Sequence, residues 1–386
     1  MKLSRMANCI QPSLVRSLFD KAKKYDDVVD FTLGDPDCAT PENICEAAYQ
    51  AIKNGKTHYS ANAGIVELRR EIAKQIQRET GVVYEAESEI IVTVGAMEAL
   101  YLALCCLIDM DDEVIIPAPY WVNYDQMVKM CGGKSVIVEA KESNEFVVTA
   151  EDVENAITDK TRAIIINSPN NPTGAIYDEK TIKELSALAV KYDLVILWDE
   201  CYKNITYNEQ DFYSLLNVEG IKDRAVVINS CSKKFAMTGW RLGYASAPKE
   251  LVACMTKLQE NVAACANVPT QYAAIEAFSG RADEAAEAMR KEFARRRIVM
   301  VEGINSIDKL HCNCPKGTFY VFVNIEETGM GSIEFANKLL DEVHVAVVPG
   351  VTYGENYDHF VRMAFTMKEE RIKEGLERIR SFVAGL

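Results

Sequence analysis

The sequence predicts an α/β protein with two parts. A large domain carries a mostly parallel, seven-stranded sheet flanked by helices, and a smaller α+β domain is assembled from the N- and C-terminal segments. Three observations support this reading. Apolar, β-rich runs at 90–94, 113–117, 135–139, 162–167, 194–198, 225–230 and 242–248 are separated in several places by helical segments at 122–131, 150–157 and 178–192. The residues with the most chemical potential (Gly95, Trp121, Asn171, Asp199, Lys233) follow strands, where open α/β sheets bind ligands. Beyond residue 282 the alternation gives way to a long charged helix and a shorter mixed pattern. The expected division is residues 1–45 and 286–386 for the small domain and 46–285 for the large one.

Composition narrows the function. The 386 residues are 48% hydrophobic and 26% charged, which suits a globular protein of more than one domain. A net charge of −14 argues against nonspecific nucleic-acid binding and against an anionic membrane surface. The first residues lack the apolar core of a secretory leader, and no run of about 18 apolar residues suggests a membrane span. The twelve cysteines are scattered, and the group His311-Cys312-Asn313-Cys314 has no second cluster to complete a tetrahedral site. Free thiols in a reducing cytoplasm, and no metal, are therefore expected.

Taken in order, residues 12–25 have an amphipathic helical pattern. Val28–Leu33 then forms a short strand entering the turn Gly34-Asp35-Pro36. Pro41 opens a helix. A polar loop with Tyr59 precedes a helix over 65–79, in which Leu68, Ile72 and Ile76 share a face. Gly95-Ala96-Met97 begins a helix after a strand, so its free backbone amides would favour an anion. Leu194–Trp198 delivers Asp199 from a buried strand, and Asn-Pro-Thr-Gly at 171–174 has turn chemistry. The helix over 282–305 carries Arg295-Arg296-Arg297, expected as a solvated face. Strands at 318–325, 345–349 and 360–366, a helix at 332–342 and a closing helix from Lys368 complete the pattern.

The chain is organised around Ser230-Cys231-Ser232-Lys233-Lys234-Phe235-Ala236-Met237-Thr238-Gly239-Trp240-Arg241, held between two core strands. A lysine beside a core is costly unless it is paired or used. A desolvated amine can bond covalently to an aldehyde, and the nearby hydroxyls and guanidinium suit a phosphate. A small molecule carrying both groups is pyridoxal 5′-phosphate (PLP).

This stretch resembles the cofactor-lysine signature of the class I/II aminotransferases, PLP enzymes of fold type I. The likeness extends in family order from Gly34 to Arg362. It implies that Lys233, rather than Lys234, carries the cofactor, and that Ser230, Arg241 and more weakly Ser232 hold its phosphate with the amides of Gly95, Ala96 and Met97. Asp199 would face the pyridine nitrogen, Tyr202 and Asn171 the ring oxygen, and Trp121, rather than Tyr120, the ring face. Arg362 would grip the substrate α-carboxylate, with the Gly34 backbone close by. Tyr59 would reach the phosphate of a neighbouring subunit, which implies a homodimer.

The implied reaction moves an α-amino group between an L-amino acid and a 2-oxo acid in two half-reactions, with Lys233 as the base at Cα. Residues 261–266 lack the side-chain arginine of some aspartate-type members, and Met97 stands where others have lysine. Aromatic, alanine-like or broad substrates are therefore expected rather than aspartate alone. The alternative within the same fold is a β-eliminating C–S lyase of the cystathionine β-lyase type.

Overall fold

The computed structural model describes residues 1, 3–10, 18, 20–207 and 212–386. The helix expected over 12–25 falls largely outside the described residues. In chain order, β1 (Val29–Asp30) precedes seven strands of one sheet: β2 (Ile90–Thr93), β3 (Glu113–Ala118), β4 (Lys134–Glu139), β5 (Thr161–Asn167), β6 (Val195–Asp199), β7 (Ala225–Ser230) and β8 (Gly243–Ser246). Their spatial order is β2-β8-β7-β6-β5-β3-β4. Every pairing is parallel except those of β8, which runs antiparallel to β2 and β7.

The strands are apolar on both faces because helices cover both. Ile164, Ile166, Ile196, Trp198 and Val227 enter one core. Their neighbours Ala163, Ile165, Leu197, Val226 and Ile228 enter the other. That alternation is the period of two a pleated strand imposes. Local chemistry starts the flanking helices. The Asp178 side chain accepts from the Thr181 amide, and Asn267 accepts from Thr270 with a proline in the first turn.

Beyond this sheet lie β9 (His311–Cys312), β10 (Tyr320–Asn324), β11 (Val345–Ala346), β12 (Val348–Pro349) and β13 (Phe360–Ala364). Four of them form an antiparallel sheet in the order β12-β13-β10-β9. The single strand expected at 345–349 is divided. β11 pairs in parallel with β1, whereas β12 pairs with β13. Two strands from distant parts of the chain thus claim adjacent residues of one apolar run. A third core, containing Val29, Phe31, Phe319, Val345, Ile372 and Leu376, joins the N-terminal strand to the C-terminal elements.

The arginine run at 295–297 is not a solvated face. Arg296 is buried, donating to Asp37 Oδ1 (2.9 Å) and the Thr366 carbonyl (2.7 Å), and the Arg297 guanidinium lies 4.5 Å from the Tyr207 ring centroid. Only Arg295 is exposed. Consecutive helical residues point about 100° apart, so three in a row cannot share one face.

Candidate active site

The carboxyl ends of β5, β6 and β7 and the loop after β1 enclose a cavity of about 400 Å³. Of the residues singled out from sequence, Gly34, Ala96, Met97, Trp121, Asn171, Asp199, Tyr202, Ser230, Ser232, Lys233, Arg241 and Arg362 line it. Among the described residues Lys233, Arg241 and Arg362 line the cavity with a single carboxylate, that of Asp199, so the cavity is cationic within an acidic protein.

Lys233 follows β7 in a short helical turn capped by Ser230, whose hydroxyl accepts from the Ser232 amide (3.3 Å). Its Nζ donates to the Gly34 carbonyl at 2.7 Å. Lys234 turns away and pairs with Asp283 at 2.8 Å, which leaves Lys233 as the amine in the cavity. Gly34 admits no side chain, since a Cβ there would lie 1.8 Å from the Tyr320 hydroxyl.

Asp199 is buried at the end of β6. Burial pushes its carboxyl above the usual range, against hydrogen bonds from the Tyr124 hydroxyl (2.7 Å) and the Cys201 amide (3.0 Å) that favour the anion. Trp121 is half-buried and meets Tyr124 edge to face, with ring centroids 5.4 Å apart. The Tyr202 hydroxyl lies 3.1 Å from that of Tyr320.

Arg362 is buried on β13. It donates to Asn171 Oδ1 (3.1 Å) and to the Thr32 carbonyl (2.6 Å), and its guanidinium lies 4.3 Å from the Tyr320 ring centroid. Among the described residues its Nε has no partner. A buried guanidinium with unspent donors suits a planar anion.

Gly95 and Tyr59 stand apart from the rest. Gly95 does not line the cavity but lies directly behind it: its φ is +78°, and a Cβ there would be 2.6 Å from Arg241 Nη2. Tyr59 is 89% exposed and does not line the cavity of its own chain. Sequence reasoning missed Tyr124, Tyr320, Tyr353, Thr32, Thr238 and Cys201, all of which line the cavity. Tyr124 could have been found, since it follows Trp121 by three residues at the start of the helix Asn123–Met130. Nothing local marks Tyr320, which opens an ordinary apolar strand.

Among the described residues no helix is long and apolar enough to cross a membrane, and no group of three His, Cys, Asp or Glu could hold a metal ion. The family profile described as "Aminotransferase class I and II" matches residues 26–379. The chain is 40% identical to the putative aminotransferase YugH of Bacillus subtilis, covering 99% of this chain and 98% of the relative. It is 38% identical to aromatic-amino-acid aminotransferase 2 of Thermococcus litoralis, covering 98% and 97%. The solved aspartate aminotransferase of Thermus thermophilus with maleate superposes with a TM-score of 0.94 at 36% identity, covering 99% of each chain. With a matching profile, full-length relatives and the same fold, the chain belongs to the class I and II aminotransferases, PLP-dependent enzymes that transfer amino groups between amino acids and 2-oxo acids.

Proposed function

We propose that the cavity around Lys233 is the transamination site and that it accepts aromatic, alanine-like or a broad range of L-amino acids rather than aspartate alone. The observation that carries the site is Arg362, a buried cation lining the cavity with an unspent donor. An α-carboxylate, common to all amino acids, satisfies it with paired hydrogen bonds.

The residues present fit PLP. Arg241, Ser230, Ser232 and the amides of Gly95, Ala96 and Met97 would hold the phosphate, and Gly95 leaves room for the Arg241 guanidinium. Asp199, buried and held by Tyr124, would face the pyridine nitrogen. Asn171 has committed its Oδ1 to Arg362, which leaves its Nδ2 to donate to the ring oxygen beside Tyr202. Trp121 would cover the ring. When bound, PLP supplies an aldehyde for the amino group and a ring that draws electrons from the substrate Cα. Lys233 Nζ is the amine for cofactor attachment and the base that moves the Cα proton. Arg362 and the Gly34 backbone would orient the carboxylate, which would hold the substrate Cα within reach of Lys233.

Substrate breadth rests on the walls. Met97, Trp121, Tyr320 and Tyr353 offer apolar and aromatic surface, and residues 261–266 bring no cation. One similar protein is named for aromatic amino acids and another for aspartate, so membership of the family alone does not decide. We also propose a homodimer in which Tyr59 serves the partner's phosphate site. A cytoplasmic location is in keeping with the free thiols at 11 cysteines among the described residues.

The test is a visible spectrum of the PLP-loaded protein titrated with single amino acids. The cofactor band should shift with the preferred amino acid and return with 2-oxoglutarate, and Lys233→Ala should lack the covalent band. An unchanged band in Lys233→Ala, or aspartate as the only effective amino acid, would overturn the assignment.

A further inference from the structure

Two helices run from the cavity and meet again at sulfur. The helix Gly95–Leu107 begins beside Ala96 and Met97 and carries Cys105 in its last turn. The helix Asn123–Met130 begins beside Trp121 and Tyr124 and is capped by Cys131. The two Sγ atoms are 3.3 Å apart, and both residues are half-buried rather than sealed in the core. We propose that Cys105 and Cys131 form an oxidant-sensitive dithiol, a modification site that hydroperoxides close into an intramolecular disulfide.

The chemistry balances with hydrogen peroxide as the oxidant. The Cys105 thiolate attacks one peroxide oxygen, the O–O bond breaks, and with one proton the other oxygen leaves as water. Cys105 is then a sulfenic acid. The Cys131 sulfur attacks the Cys105 sulfur, the S–O bond breaks, and a second water leaves. Two thiols and one peroxide thus give one disulfide and two waters, and a thiol reductant reverses the change. Such reversible closure is the kind of disulfide a reducing compartment tolerates.

The division of roles follows from the surroundings. The Cys131 thiol, by hydrogen bonding, brings Cys105 down to about 7, with Tyr101 helping and burial opposing. The Tyr101 hydroxyl favours the Cys105 thiolate, whereas burial disfavours that of Cys131, so Cys105 is assigned as the attacking sulfur and Cys131 as the resolving one. Cys106, next in the chain, provides an internal control. Burial and its contact with Cys254 push its thiol up, so it stays protonated and slow.

The experiment treats the full-length holoenzyme with equimolar hydrogen peroxide, alkylates the remaining thiols and maps peptides by mass spectrometry without reductant. The expected product is a Cys105–Cys131 linked peptide, lost on adding dithiothreitol and unaffected by Cys106→Ser. In Cys131→Ser, Cys105 should persist as a sulfenic acid trapped by dimedone. Should that variant fold poorly, the parent protein decides: iodoacetamide should modify Cys105 roughly tenfold faster than Cys106. Oxidation confined to the exposed Cys38, Cys45 or Cys314, with Cys105 and Cys131 both recovered alkylated, would overturn the proposal. Equal alkylation rates at Cys105 and Cys106 would do the same.

Discussion

Among the described residues Asp199 is the only carboxylate lining the cavity, and its neighbours do not neutralise the cost of burying it. A carboxyl held above its unfolded value keeps its proton in the folded state over a pH window in which the unfolded chain has already lost it. Folding stability therefore falls as pH rises through that window. Asp199→Asn removes this penalty. Without cofactor, the variant should melt higher than the parent near neutral pH, and the gap should close as pH falls toward about 4, the range of an unfolded aspartate. With cofactor the effect should reverse, because in the proposed placement the variant leaves the ring nitrogen without its anion. Turnover should drop by about 10²–10³-fold, the scale of losing one preorganised electrostatic partner. Near-normal turnover would remove Asp199 from the ring nitrogen. At this scale the sequence was most legible where a motif fixes several identities at once, as around Lys233 and Asn171. Tyr320 was not legible. It touches Gly34, Tyr202 and Arg362, three residues remote from it in sequence, and only the fold brings them together.

Elements were legible where a helix has one apolar face or where a strand is a short continuous apolar run. The helix Val66–Thr80 and the buried strands β5 to β7 fall within a residue or two of expectation. The helices Lys249–Val262 and Val268–Phe278 were not anticipated. The second is lined with buried alanines, so its apolar residues do not form a one-sided stripe. The junction between β2 and its following helix carries a prediction of its own. Gly95 adopts a φ that costs an L-residue about 1–2 kcal/mol, and an added Cβ would displace the Arg241 guanidinium. Gly95→Ala should therefore weaken PLP binding by about tenfold or more, the value of one charge-assisted hydrogen bond. Fluorescence titration of the apoenzyme with PLP measures this. Unchanged affinity would mean that Arg241 does not hold the phosphate.

For the molecule as a whole, Tyr59 separates a complete site from an incomplete one. Its ring is exposed on its own chain, whereas Ala96, Met97, Ser230, Ser232 and Arg241 already line the cavity, so the proposed role for Tyr59 requires a second copy. The protein should sediment as a dimer at micromolar concentration. Tyr59→Phe should weaken PLP binding while leaving the dimer intact. A monomer with full turnover would remove Tyr59 from the site.

The bond from Arg362 to the Thr32 carbonyl spans 330 residues, and the one from Lys233 to Gly34 spans 199. These separations fix an order of assembly on the ribosome. Once β8 has emerged, all seven strands of the large sheet are available to pair, including those that carry Asp199 and Ser230. The carboxylate grip waits for residue 362, and β1 waits for β11. The proposed carboxylate grip is thus among the last contacts a growing chain can make, and the sheet forms ahead of the arginine that completes the cavity.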